Sequence, residues 1–182
     1  LYRKLLDVAP PRCIVVPRDP QFTTADLRPG DLCWQQFLPA AEATGAVIRP
    51  ANAHINILFS SGTTAAPKAI PWTHSTPLKC AMDGHCHHDI RPGDIVAWPT
   101  SPGWMMGPWL VFGALVLGGT FFIYDGAPDY PEPDRLWEMV EKHKITTLGI
   151  SPTLVRALIP KGDEHWQKHD LSSLRFFATP CL

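Results

Sequence analysis

The chain has almost no net charge. Sixteen lysines and arginines stand against seventeen aspartates and glutamates in 182 residues, which leaves a formal charge of -1 at pH 7. A protein that binds nucleic acid or an anionic membrane over a broad surface carries an excess of basic residues. The sequence therefore predicts no nucleic-acid partner, and any anion must be recognised by a few local groups.

The sequence also lacks an apolar run long enough to cross a bilayer. The longest run, from Trp109 to Tyr124, is shorter than the ~20 residues that a membrane span needs and is interrupted by three glycines. It predicts a buried helix, a turn and a buried strand. The first residues carry charges without the apolar segment of a secretory signal, so neither a membrane span nor secretion is expected.

Cysteine is scarce and irregularly spaced. Small secreted domains use an even number of cysteines as a disulfide framework, whereas this chain has five and enough apolar residues to form a core without them. We therefore expect reducing, cytoplasmic surroundings. The segment Cys80–Asp89 gathers two cysteines and three histidines, but their spacing matches none of the usual zinc sites, so one face of a helix is favoured over a metal site.

What the sequence does contain is an alternation of strand-like and helix-like segments. Strands are predicted at 13–17, 55–59, 94–98, 120–126 and 145–150, and helices after Asp31, from Ser75 or Thr76, over 103–119, near Asp134 and after Ser151. Asp31 is the predicted N-cap of the first of these helices. This alternation is typical of a layered α/β fold with a mostly parallel sheet flanked by helices.

The stretch Ile57–His74, "ILFSSGTTAAPKAIPWTH", sets small polar residues directly behind an apolar strand and then a lysine behind a proline. The common phosphate loop of NTPases fails here at two of its four defining positions, where Pro67 and Ala69 stand. An ordinary surface turn explains the composition. Freed backbone N–H groups, hydroxyls and a lysine can equally surround phosphate oxygens. The residues alone leave both interpretations open, and no G-x-S-x-G elbow supports a serine hydrolase.

The run "SSGTTAAPK", Ser60–Lys68, resembles the [ST]-[ST]-G-[ST]-[ST]-G-x-P-K signature of the AMP-forming acyl-CoA synthetases, members of the adenylate-forming superfamily. Three further stretches are similar, in order and spacing, to the acetyl-CoA synthetase branch: "RPGDIVAWPTSPGWMMG", "GAPDYPEPDRLWEMVEKHKITTLGISPTLVRAL" and "KGDEHWQKHDLSSLR". The resemblance runs from about Ile55 to Phe176. It implies part of the N-terminal domain of the adenylate-forming fold.

That resemblance implies a two-step reaction. A carboxylate, of short or medium chain, reacts with ATP to an acyl-adenylate and pyrophosphate, and coenzyme A then displaces AMP to leave a thioester. Lys68 and Thr64 are the implied catalytic residues, and Thr64 is an implied neighbour of Mg²⁺ bound through the nucleotide. The implied contacts to the ATP phosphates are Ser60, Ser61, Gly62, Thr63, Thr64 and Lys68.

Other site residues also follow from the resemblance. Trp104, Met105 and Met106 match a segment that lines the acyl pocket, with plain core packing as the alternative for the methionines. Asp129 falls near the expected coenzyme A entrance, although a solvated turn explains it equally well. His74 matches a histidine often found after the loop.

Two departures from the family pattern affect the loop. Ala65 replaces the usual glycine of the signature, and Ala69 replaces the glycine common after the lysine. If position 65 needs a left-handed backbone, alanine carries a steric cost that glycine avoids. We therefore expect an effect on loop mobility or on the rate of turnover more than on the fold.

Several segments that the family uses do not occur in the 182 residues: those for the adenine and ribose, the hinge, and the C-terminal lysine that aids adenylation. We expect residues 1–50 to end a preceding subdomain and residues 51–182 to form a loop-bearing α/β segment, incomplete at its C-terminal end. The alternative is a non-catalytic α/β domain that at most binds phosphate or nucleotide weakly. Nothing in the sequence indicates an oligomeric state.

Overall fold

The computed structural model of the protein describes residues 2–16, 26–38, 45–60 and 66–179. By its internal contacts the chain divides into two compact units, Leu1–Ile48 and Arg49–Leu182. None of the helices in the described ranges is long and apolar enough to cross a membrane.

The first unit is small and built from four short elements. These are helix α1 (Tyr2–Leu6), strands β1 (Ile14–Val15) and β2 (Leu32–Cys33), and helix α2 (Trp34–Phe37). The two strands pair in parallel. The predicted strand at 13–17 is thus confirmed at its centre, and the predicted helix begins three residues after Asp31 rather than next to it.

The prediction that Asp31 caps this helix is wrong. Its carboxylate is buried and accepts hydrogen bonds from the Tyr2 hydroxyl at 2.5 Å, the Cys13 backbone N–H at 2.7 Å and the Arg28 Nε at 2.9 Å. Burial raises the pKa of Asp31, but these donors outweigh it and the net pKa is lowered. A buried carboxylate needs several donors, and only residues distant in sequence supply them.

The second unit alternates strands and helices as the sequence predicts. Its strands are β3 (His54–Phe59), β4 (Ala69–Thr73), β5 (Ile95–Ala97), β6 (Thr120–Phe122), β7 (Thr147–Gly149) and β8 (Phe176–Ala178). Its α-helices are α3 (Thr76–His88), α4 (Met106–Val116), α5 (Arg135–His143), α6 (Pro152–Leu158) and α7 (Glu164–Gln167), with a 3-10 turn at Ile159–Lys161.

Four of these strands form a parallel sheet in the order β6-β5-β7-β8. Val96 and Trp98 belong to one apolar cluster, whereas Ala97 and Leu148 belong to another. Since alternate residues of a strand point to opposite faces, the two clusters lie on opposite faces of the sheet. The layered, mostly parallel α/β fold is therefore confirmed.

Helices cover both faces of this sheet. Helices α3 and α4 contribute Cys80, Trp109, Leu110 and Ala114 to the cluster with Val96, and α5 contributes Leu136, Met139 and Val140 to the cluster with Leu148. A fully buried side chain of this size contributes roughly 1.5–3 kcal/mol relative to an exposed one. Strand β6 is less buried than predicted, because it has a partner on one side only within the described sheet.

Strands β3 and β4 stand apart as an antiparallel hairpin, with Leu58 opposite Ile70 and Phe59 opposite Ala69. Leu58 and Trp72 point inward and join the cluster that contains Val96. Trp72 and Trp98 are thus core residues. The hairpin is anchored to the α/β layers by one face only.

Close packing of a tryptophan on a glycine generates the first prediction. A Cβ atom added at Gly149 would lie 1.9 Å from Cδ2 of the Trp98 ring. We expect Gly149→Ala to lower the free energy of unfolding by about 3 kcal/mol, the upper part of the range for overpacking. Denaturant unfolding measures it. Gly103→Ala is the control, because an added Cβ there meets only Ser101 Oγ at 3.8 Å; equal stability of the two variants would contradict the packing.

Candidate functional site

The candidate site begins at the neck of the β3–β4 hairpin. The backbone N–H of Ser60 donates to the carbonyl of Lys68 at 3.0 Å, and the N–H of Lys68 donates to the Ser60 hydroxyl at 3.1 Å. The first bond continues the backbone ladder beyond the Phe59–Ala69 pair, and the second adds a side-chain acceptor to it. The two ends of the predicted phosphate loop are therefore held together by the strands that carry them.

The rest of the loop lies outside the described residues. Ser61, Gly62, Thr63, Thr64 and Ala65 all fall there, so their predicted roles remain predictions. The side chain of Lys68 is exposed, and among the described residues it takes part in no ion pair. An unpaired ammonium group is available to an anionic ligand at the loop.

At its other end the hairpin leads directly into α3. His74 is exposed in the connecting turn, and its backbone N–H donates to the Ala53 carbonyl at 3.1 Å. Ser75 occupies the N-cap position, but its hydroxyl contacts the Thr73 hydroxyl at 2.8 Å instead of capping the helix. Thr76 Oγ1 accepts from the backbone N–H of Thr73 at 3.0 Å. These contacts fix the turn without using the His74 ring.

The predicted acyl-pocket residues lie at the start of α4. Trp104 and Met105 are exposed, at 60% and 56%, in a tight turn where a Cβ at Gly107 would lie 2.6 Å from the Pro102 backbone. Met106 is half-buried and packs against the cluster that contains Leu58. The turn therefore directs two of the three side chains outward and one into the core.

The hairpin and the start of α4 share that core. Met106 packs on the same buried cluster as Leu58 of β3 and Trp72 of β4. Within the described ranges, no hydrogen bond, ion pair or ring contact joins Trp104 or Met105 directly to Lys68. The structure thus links the predicted phosphate and acyl regions through a common core.

Asp129 lies in the connection between β6 and α5, half-buried in a turn. Close to it in sequence is a pair that sequence reasoning missed. The Arg135 guanidinium stacks on the Tyr124 ring, 5.2 Å from its centroid, and its Nε donates to the Tyr124 hydroxyl at 3.2 Å. Arg135 also pairs with Glu138 at 2.7 Å. The pair braces the two ends of the connection that carries Asp129.

The cysteine- and histidine-rich segment of α3 divides between core and solvent. Cys80 is buried, and burial raises its pKa to about 11. The His88 ring contacts Trp98, Trp109 and Phe176, with centroids 5.0–6.3 Å apart, and burial lowers its pKa. The side chains of residues 85–87 are exposed. No group of three potential metal ligands occurs in the part of the chain that the structure describes.

Comparison with known proteins shows the family to which this chain belongs. A model of the AMP-binding enzyme family matches residues 6–181, so the chain belongs to that family. The resemblance seen in the sequence is confirmed.

Particular relatives narrow the resemblance. The chain is 42% identical over 184 residues to a hexanoyl-CoA synthase of Cannabis sativa and, over the same length, to a probable peroxisomal acyl-activating enzyme 17 of Arabidopsis thaliana; each comparison covers 98% of this chain and 25% of the relative. The solved acetoacetyl-CoA synthetase of Streptomyces lividans matches with a TM-score of 0.76 and 34% identity, over 91% of this chain and 25% of that one. The chain thus spans about a quarter of these relatives.

The hydrogen bonds at the hairpin neck generate the second prediction. Ser60→Ala removes the oxygen that accepts from the Lys68 N–H, a bond worth about 1 kcal/mol. We expect hydrogen exchange of the Lys68 amide to accelerate about fivefold. Ser75→Ala is the control, since the Ser75 hydroxyl contacts another hydroxyl. An unchanged Lys68 amide in Ser60→Ala would show that the neck does not depend on this bond.

Proposed function

We propose that this chain forms the phosphate-handling part of an AMP-forming carboxylate–CoA ligase. Residues 51–182 would carry the phosphate loop, and residues 1–50 would end a preceding subdomain. The observation that supports this most is the hairpin neck, where Ser60 and Lys68 are held side by side at the mouth of the signature loop. Lys68 forms no ion pair with any residue that the structure describes. The relatives named above, synthases and synthetases of acyl-CoA thioesters by name, give the reaction class.

In the proposed first step, a carboxylate oxygen attacks the α-phosphorus of ATP. The new oxygen–phosphorus bond forms as the bond to the β-phosphate bridging oxygen breaks, and pyrophosphate leaves with the electron pair. Negative charge builds up on the leaving group. The Lys68 ammonium and the loop donors would stabilise that charge, as preorganised positive groups do in phosphoryl and acyl transfer.

Mg²⁺ would accompany ATP, since it is commonly held by substrate phosphates together with a few protein oxygens. Thr64 is the loop residue that would lie beside the ion. The ion would supply charge neutralisation on the phosphates. The loop itself would position those phosphates and exclude water from them.

In the proposed second step, the coenzyme A sulfur bonds to the acyl carbon, AMP leaves, and the thiol proton is lost to solvent. Trp104, Met105 and Met106 would line the acyl pocket. Two methionines suit a pocket that adapts to short or medium chains, because their side chains are flexible and polarizable. Asp129 would lie near the coenzyme A entrance, on the connection braced by Tyr124 and Arg135. A cytoplasmic location remains a proposal, and one relative is peroxisomal by name.

A chimera tests the role of Lys68, the third prediction. The matching quarter of the Streptomyces lividans synthetase is replaced by this chain, and acid-dependent exchange of labelled pyrophosphate into ATP is measured. We expect Lys68→Ala to slow the exchange about 100-fold, as loss of one charge-stabilising group does in other enzymes.

The matched control is Lys79→Ala, which removes a lysine of α3 that pairs with Asp83 on an exposed surface. We expect it to leave exchange within about twofold, because a surface ion pair contributes little. Equal exchange in the two variants would refute the role of Lys68. A chimera that unfolds cooperatively yet shows no exchange would refute the proposed function itself.

The fourth prediction tests whether the 182 residues are catalytic on their own. The chain on its own is expected to show no carboxylate-dependent exchange, because the segments for adenine, ribose and the C-terminal lysine are not among its residues. Detectable exchange by the purified chain would refute this expectation and would mean that these 182 residues suffice for adenylation.

A further inference from the structure

A charged cluster far from the loop in sequence joins helix α7 to helix α5. The ring of His169, two residues beyond the end of α7, has its Nδ1 2.7 Å from Glu141 Oε2 and its Nε2 3.1 Å from Asp134 Oδ2. Asp134 precedes α5 and Glu141 lies near its end. The imidazole is only 10% exposed. One ring therefore bridges two carboxylates that lie almost two helical turns apart.

Both contacts of the ring can be hydrogen bonds only when the ring carries two protons. A neutral imidazole has a single N–H, so it can donate to one carboxylate while its other nitrogen directs a lone pair at the second. The imidazolium donates to both. Since both nitrogens lie within hydrogen-bond distance of carboxylate oxygens, the doubly protonated ring is the form that satisfies the arrangement.

The charges around the ring favour the same form. Three carboxylates face this region, Asp134, Glu141 and Asp170. Two ammonium groups oppose them: Lys168 lies 2.5 Å from Asp134, and Lys144 lies 3.0 Å from Asp170. The Asp170 N–H also donates to Glu141 at 3.2 Å. With His169 charged the group is neutral, and with His169 neutral it carries one uncompensated negative charge.

The cluster holds one wall of an apolar cavity. A cavity of about 220 Å³ lies between these elements, lined by Trp137 of α5, Ile159 of the 3-10 turn, Trp166 of α7 and Phe177 of β8 among others. The backbone N–H of His169 donates to the Trp166 carbonyl at 3.2 Å. Moving His169 away from α5 would therefore move the Trp166 wall with it.

We propose that His169 is a proton-dependent fastening of α7 to α5, closed when both ring nitrogens carry a proton and loosened when one proton is lost, so that pH controls access to the cavity beside Trp166.

The pH range follows from the surroundings of the ring. Burial lowers the pKa of His169, but the hydrogen bonds to Glu141 and Asp134 outweigh it, and the net pKa is raised above its ordinary value of about 6.5. Lys168 and His169 lower the pKa of Asp134 to about 2, and the His169 ring lowers that of Glu141. Both carboxylates thus stay charged at the pH values at which the His169 ring loses its proton. The fastening is complete below about pH 6.5 and is lost as pH rises through the raised pKa.

The fifth prediction tests this in two measurements on the intact chain. Ring ¹⁵N NMR at pH 6 should show both nitrogens of His169 protonated, and a titration should give a midpoint above that of a free histidine. The exchange of the His169 and Gln167 amides, corrected for intrinsic rate, should accelerate by up to tenfold for each pH unit between the two midpoints. A single protonated nitrogen at pH 6, or exchange independent of pH, would overturn the proposal.

The cavity wall has its own readout. In protein labelled with 5-fluorotryptophan, the ¹⁹F signal of Trp166 is assigned with Trp166→Phe. This signal should change with pH at the midpoint of His169. The signal of Trp72, which lies in the apolar cluster with Val96 on the opposite face of the sheet, should not change there. His169→Gln should abolish this pH dependence. His165→Gln, which replaces a histidine within α7, should preserve it. A Trp166 signal that does not change at the His169 midpoint would show that the fastening does not control the cavity. This result can be obtained even if His169→Gln fails to fold.

Discussion

Burial of the two central strands, β5 and β7, is the constraint on which the rest of the second unit depends. Each of these strands is three residues long, too short to be stable through its own hydrogen bonds. They persist because Val96 on one face and Leu148 on the other are completely buried under helices. The helices, in turn, are amphipathic or apolar segments whose apolar side chains are buried only when they pack on the two faces of the sheet. Local elements this small exist only as parts of the layered whole.

The candidate site uses that core as a rigid base. The β3–β4 hairpin inserts Leu58 and Trp72 into the cluster on one face of the sheet, and Met106 at the start of α4 packs on the same cluster. Ser60 and Lys68 then lie just beyond the buried part of the hairpin. The proposed phosphate loop leaves the hairpin at these two residues, and a hairpin anchored by one apolar face holds both of them in place.

The opposite face of the sheet carries a different kind of organisation. There the apolar contacts of α5 are supplemented by a charged cluster around His169, whose ring bridges Asp134 and Glu141. Such pairs contribute little when they are exposed. A ring that is nine-tenths buried and bonded through both nitrogens contributes more, and its contribution depends on protonation. The hairpin neck and this cluster are therefore held by different physical interactions.

Local sequence patterns were sufficient to predict several helices of this protein and its family. The apolar periodicity of α5, the Ser151-Pro152 start of α6 and the glycines that end α4 predict these elements correctly, because each depends on neighbours within one or two turns. The family resemblance of "SSGTTAAPK" likewise lies in contiguous residues. Where a residue's role depends on its immediate neighbours, the sequence shows it.

Tertiary structure alone decided the roles that depend on distant partners. Asp31 follows the pattern of a helix N-cap, yet it is a buried acceptor because Tyr2, Cys13 and Arg28 surround it. Nothing within five residues of His169 indicates that Asp134, 35 residues earlier, will share its ring. Buried charges and polar groups take whichever partners the packing of the layers brings near them, and that packing is a property of the whole chain.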